Sequence, residues 1–140
     1  MAGSYSDFLE NTTLDEIFGA TNYAPPATLY IALFTARGTD AQSDANTNFT
    51  EVTGGAYARK AVTNNSTNWP AASAGAKSNG VAQTMGPATG ANWGAITAFG
   101  VYDASSAGNL LAWADLTVSK TILDGDSLSF PIGAIAITAT

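Results

Sequence analysis

The stretch Thr28-Leu29-Tyr30-Ile31-Ala32-Leu33-Phe34-Thr35 decides the fold. Successive side chains of a strand point to opposite faces, so a run this apolar at both parities fits a strand covered on both sides, the central strand of a sandwich. Pro25-Pro26 just before it ends any helical tendency of the preceding chain. Further along, Ala95-Ile96-Thr97-Ala98-Phe99-Gly100-Val101-Tyr102-Asp103 alternates, Ala104 to Gly108 supplies a turn, and Leu110-Leu111-Ala112-Trp113-Ala114 follows. These two blocks predict a hairpin. Leu29, Ile31, Leu33, Val62, Phe99, Val101, Leu111 and Trp113 are the expected core.

Shorter strands are predicted at Tyr57 to Val62, Lys77 to Met85 with an interruption at Gly80, Thr121 to Leu123, Ser127 to Pro131 and Ala134 to Thr138, with Asp124-Gly125 as a turn. Arg37 to Thr53 is polar and aperiodic and reads as a long surface loop closed by Gly54-Gly55. Many short strands separated by turn signals indicate a mainly β protein: an antiparallel β-sandwich, jelly-roll-like, with one short N-terminal helix. Residues 1–22 form the helical segment and 23–140 a single β-sandwich domain. A length of 140 residues allows one core, and 46% hydrophobic residues suffice to fill it.

The helix is expected from Tyr5 to Phe18, with Ser4 as its cap, Asp7 three residues on and Gly19 as the stop. Its apolar residues do not form one stripe. At 100° per residue Tyr5, Phe8 and Leu9 cluster on one side, while Leu14, Ile17 and Phe18 lie toward the other. Either the helix breaks near Asn11-Thr12-Thr13 and both halves fold back on one core, or the sandwich covers only one of the two clusters and the other is covered by a neighbouring subunit or a larger assembly. Arg59 and Lys60, adjacent in a strand, are expected to point to opposite faces and to mark an exposed strand or interface rim. The interface expected from sequence is therefore Tyr5, Phe8, Leu9, Leu14, Ile17, Phe18, Arg59 and Lys60.

Charge narrows the partners. Eleven carboxylates against five Lys and Arg give a formal charge of −6, which argues against a phosphate-neutralising surface and so against nucleic acid. No apolar run approaches the roughly 20 residues of a membrane span, and Met1 to Phe18 carries four acids and no basic n-region, so neither a membrane nor a cleaved signal is expected.

Histidine and cysteine are both absent, which removes the usual general base, the usual nucleophile partner and most transition-metal ligand sets. No catalytic residue, cofactor site or metal site is assigned. Asp124 and Asp126 offer oxygens suited to calcium, but Asp-Gly fits a hairpin turn better, and Asp40 and Asp44 match no calcium-loop spacing. Trp69, Trp93 and Trp113 suggest either a sugar-stacking platform or core, and Trp113, inside a strand, reads as core. The Asn-X-Thr/Ser triplets at Asn11, Asn48, Asn64 and Asn65 read as turn and cap residues.

Three blocks carry a whole-chain resemblance: Phe8-Leu9-Glu10-Asn11 with Ile17-Phe18-Gly19, Tyr23 to Leu33, and Gly54 to Asn64. It continues through Gly75-Ala76-Lys77-Ser78-Asn79-Gly80, Ile96 to Asp103 and Gly108 to Ala112. In this order they resemble a widespread group of small tailed-phage virion proteins, whose members are described as tail-fibre-like or as capsid decoration (cement) proteins. The resemblance implies a non-enzymatic virion protein made in the host cytoplasm. Of the two locations the capsid exterior is expected, because the chain has no shaft-like repeat or coiled-coil heptads. The expected partners are then the major capsid protein and further copies of the chain, as a trimer or dimer. The alternative is a tail-fibre-like or receptor- or glycan-binding tail module.

Overall fold

The computed structural model describes residues 3–38 and 49–139. Its elements are β1 (Gly3–Tyr5), α1 (Asp7–Gly19), β2 (Thr28–Ala36), β3 (Thr50–Glu51), β4 (Lys60–Thr63), β5 (Ala76–Ser78), β6 (Gln83–Met85), β7 (Gly94–Tyr102), β8 (Leu110–Ile122), β9 (Leu128–Phe130) and β10 (Ala136–Thr138). The protein is mainly β, with one helix near its N-terminus. Eight strands form one large sheet in the order β3-β2-β7-β8-β1-β10-β5, with β4 also on β2, and β6 and β9 form a separate antiparallel pair. All pairings are antiparallel except β1 with β10.

β2 is central, as its two apolar parities require. β7 lies along one edge; β4 and β3 occupy successive stretches of the other, at Thr28 to Ile31 and at Phe34 to Ala36. Ile31 and Leu33 join the main core with Val62, Phe99, Ile122, Leu128 and Phe130, in which Met85, Leu128 and Phe130 bring β6 and β9 across the large sheet. Phe99 of β7 meets Phe130 of β9 edge-on at 5.3 Å between ring centres. Ala32 and Phe34 point the other way, into a smaller cluster with Ala98, Tyr102 and Leu110. Of the eight core residues expected, six are buried, while Leu29 and Trp113 are half-buried at the two clusters' margins.

Several boundaries differ from expectation. The helix starts at Asp7, not Tyr5: Ser6, not Ser4, is the cap, its Oγ accepting the Leu9 N–H at 3.2 Å. Tyr5 and Ser4 instead belong to β1, which β8 and β10 hold from either side. Gly19 is the last helical residue, and Ala20 takes the left-handed conformation at φ 53°. The strand expected over Tyr57 to Val62 runs from Lys60 to Thr63, and Lys77 to Met85 divides into β5 and β6 in different sheets. The predicted blocks Leu110 to Ala114 and Thr121 to Leu123 are the two ends of a single strand, β8. Phe49 to Val52, inside the expected loop, supplies β3 and the buried Val52, whereas Asp40 and Asp44 lie outside the described residues.

Candidate functional site

α1 is continuous through Asn11-Thr12-Thr13, so the two apolar clusters are not folded onto one core. The first is used internally. Phe8 packs edge-on against Tyr23 at 6.4 Å, and Tyr5 and Leu9 line a pocket against the sheet. The second cluster faces outward: Leu14 is 55% exposed, Ile17 68% and Phe18 82%. Leu14 and Ile17, three apart, lie on one helix face, and Phe18 follows where the backbone leaves the helical region at φ −110°, so the three make one exposed apolar stripe at the end of α1.

The charges around the stripe are one-sided. α1 carries Asp7, Glu10, Asp15 and Glu16 and no base. Asp7 and Glu10 in the first turn suit the positive end of the helix dipole, but Asp15 and Glu16 sit toward its negative end, where each carboxylate costs about 0.3–1 kcal/mol. Neither makes an ion pair with a described residue. An exposed apolar stripe flanked by unpaired, dipole-opposed acids is the pattern of a contact surface whose partner supplies both apolar area and positive charge.

The pocket beside α1 has a volume of about 480 Å³ and is walled by Leu9, Leu29, Trp69, Leu111 and Ile137, with Lys77 and Asn64 as its polar members. Lys77 makes no ion pair with a described residue. Sequence reasoning missed this pocket. Its walls come from β1, α1, β2, β5, β7, β8, β10 and the chain near Trp69, and only the folded topology assembles them. A second groove of the same volume lies between β8 and β9, with Asp115, Thr117, Lys120 and Ser129 among its walls.

Arg59 and Lys60 have different environments. The Arg59 side chain is only 5% exposed and grips Glu51 with two bonds, Nε to Oε1 at 2.8 Å and Nη2 to Oε2 at 2.9 Å. Its Nη1 donates to the carbonyls of Ala104 and Ala107 at 2.8 and 2.9 Å, and its guanidinium lies 3.6 Å from the centre of the Tyr102 ring. Burial alone would lower the Arg59 pKa, but the hydrogen bonds and charge of Glu51 outweigh it and raise the value. Arg59 thus ties the β7–β8 turn to the β3–β4 region and is occupied inside the fold. Lys60 opens β4, half-buried and without an ion pair among the described residues.

The other candidates resolve as structure. Asp124 Oδ1 accepts the Gly90 N–H at 3.1 Å and Asp126 Oδ2 the Leu123 N–H at 3.0 Å, around Gly125 at φ 93°. Asn65 Oδ1 accepts from the N–H groups of Thr67 and Asn68, and Asn64 donates to Pro26 O at 2.8 Å. Trp69 and Trp93 are buried; Trp93 Nε1 donates to Gly55 O at 2.9 Å, and a Cβ on Gly55 would come within 2.8 Å of the indole. Trp113 is half-buried, with Phe49 at 5.8 Å and the Arg37 guanidinium over its ring at 5.0 Å. Trp69 also lines the pocket beside α1.

The family model described as podophage GP4 fiber I protein gp80 matches residues 4–138, nearly the whole chain. No curated protein matches.

Proposed function

The chain belongs to the family described as podophage GP4 fiber I protein gp80, a family of tailed-phage virion proteins, and we propose that it is a non-enzymatic structural component of a virion fibre that works by protein–protein contact. The observation that carries the contact is the exposed stripe of Leu14, Ile17 and Phe18 beside Asp15 and Glu16, which have no ion pair among the described residues. Covering three such side chains contributes about 4–9 kcal/mol before ordering costs, at about 1.5–3 kcal/mol each, enough to matter when the contact repeats over many copies. The family's description supports the fibre location.

Capsid decoration is the second reading. It is favoured by the architecture, because the described residues form one main core with no shaft-like repeat. Image reconstruction of purified virions separates the two. Density for this domain in fibres attached at the tail supports the fibre reading; copies distributed over the capsid shell replace it with decoration. Absence from purified virions would remove both.

A further inference from the structure

We propose that the stripe Leu14-Ile17-Phe18 of one copy seats in the apolar pocket beside α1 of a second copy, with Lys77 of the receiving copy meeting Asp15 and Glu16 of the incoming helix. The inference rests on the reading of the stripe as a protein contact and names its partner.

Three observations converge on a second copy. The pocket is apolar where the stripe is apolar: Leu29, Trp69, Leu111 and Ile137 form its walls, and about 480 Å³ is in the range of a site that takes up several side chains. The chain's own stripe cannot fill it. Leu9 of the same helix is already part of the wall, Leu14 starts five residues further on, about 7.5 Å along the axis, and all three stripe residues are more than half exposed.

Charge selects this pocket. Of the five bases, Arg37 is held by Asp115 at 2.6 Å and Arg59 by Glu51, which leaves Lys60, Lys77 and Lys120 without ion pairs among the described residues. Lys77 lines the pocket, and the acids it would meet are the two that oppose their own helix dipole. A cation placed there by a neighbour relieves that opposition and adds electrostatic register to apolar contact. The β8–β9 groove offers Lys120 too, but its walls include Asp115, Thr117 and Ser129, a poorer match to Leu, Ile and Phe. Donor stripe and acceptor pocket are different patches, so copies join reciprocally about a two-fold axis or head-to-tail, in a ring where the rotation closes and in an open filament where it does not.

The test uses the full chain in solution. Sedimentation equilibrium of the unaltered protein should show association. Phe18→Asp should abolish it without lowering Tm, because Phe18 is 82% exposed. Lys77→Glu should weaken association at least tenfold, and adding Asp15→Lys with Glu16→Lys should restore it; Lys120→Glu should leave it unchanged. As the chain has no cysteine, a mixture of Phe18→Cys and Ala72→Cys copies should form the mixed disulfide on oxidation. A monomeric wild type, a Phe18→Cys copy that cross-links only to itself, or a loss on Lys120→Glu as large as that on Lys77→Glu overturns the pocket. The virion reading fails separately. A monomeric chain still found in virion fibres removes the pocket and keeps that reading, whereas an associating chain absent from virions does the reverse.

Discussion

The hydroxyl of Tyr57 accepts the backbone N–H of Leu33 at 3.0 Å and so stands in for a missing strand. β4 and β3 cover the outer edge of β2 up to Ile31 and from Phe34 onward, and the gap between them falls at Leu33, which is fully buried. A buried N–H without an acceptor is costly, and the Tyr57 oxygen fills the position while donating its own proton to Glu51 Oε1 at 2.8 Å. Tyr57→Phe keeps the ring that meets Trp93 at 5.5 Å but orphans the Leu33 donor. The expected loss is about 1–3 kcal/mol. It should appear as a lower urea midpoint with an unchanged slope; an unchanged midpoint would show that the bond contributes nothing.

The same hydroxyl sets an alkaline limit. Burial, the largest influence, pushes the Tyr57 pKa well above 10, with the Leu33 N–H pulling the other way and Glu51 adding to the rise. Burial, and then the charge of Asp103, also raises Tyr23. A raised folded-state pKa means that stability from the neutral phenol is fully present below pH 10, the unfolded value. It is lost above it, where the unfolded chain releases a proton that the folded one retains. For Tyr57 the decline is up to about 1.4 kcal/mol per pH unit, and Tyr23, which is more exposed, adds in the same direction. Urea midpoints between pH 8 and 11.5 should stay level to about pH 10 and then fall, less steeply in Tyr57→Phe.

Arg59 tests whether its fork or merely its charge matters. Lysine keeps the charge but cannot make the two parallel bonds to Glu51, reach both turn carbonyls and stack on Tyr102. Arg59→Ala removes one partner of a largely buried pair and should cost about 3–5 kcal/mol. Arg59→Lys should recover less than half of that loss in thermal or urea unfolding. Full recovery by lysine would mean that charge alone suffices.

What could be read from sequence, and what could not, follows from the range of the interactions. β2 and the β7–β8 hairpin were legible because the apolar pattern is local; Asp124-Gly125 is a turn as expected but not a hairpin turn, because β9 pairs with β6 rather than with β8. β8 runs on to Ile122 because β7 pairs with it across Lys120 to Ile122, although Thr117 to Thr121 is exposed and carries little apolar signal. The helix start was misplaced because Ser4 and Ser6 are equally good caps. What selects Ser6 is a strand pairing with residues more than a hundred positions away. Leu14, Ile17 and Phe18 were identifiable as a separate cluster from helical periodicity alone, but the pocket with Lys77 was not. Arg59 has the look of a rim residue in the sequence, which cannot reveal that Glu51, Tyr102 and two turn carbonyls converge on it.

The last prediction separates what the N-terminal segment does for folding from what it does at the surface. β1 is a strand inside the large sheet: Ser4 pairs with Trp113 and Thr138, Tyr5 with Ala112, and Ser6 N–H bonds to Leu111 O at 2.7 Å. Gly3 sits so close to β8 that a Cβ there would meet Ala114 Cβ at 2.6 Å and the Trp113 carbonyl oxygen closer still. Gly3→Ala should therefore destabilise by about 1–3 kcal/mol through overpacking against backbone that cannot yield. Removing the whole segment would strip β8 and β10 of their shared neighbour, so a deletion confounds folding with contact. Replacing Leu14, Ile17 and Phe18 together by serine leaves β1, the Ser6 cap and the Leu9 wall in place, and stability should change by no more than about 0.5 kcal/mol per site. Incorporation into virions, followed by quantitative blotting of purified particles from a complemented infection, should fall at least tenfold for the serine variant. For Gly3→Ala, incorporation should fall only in proportion to the fraction left unfolded. Equal incorporation of the serine variant and the unaltered chain would show that the stripe is not the contact by which the protein is held.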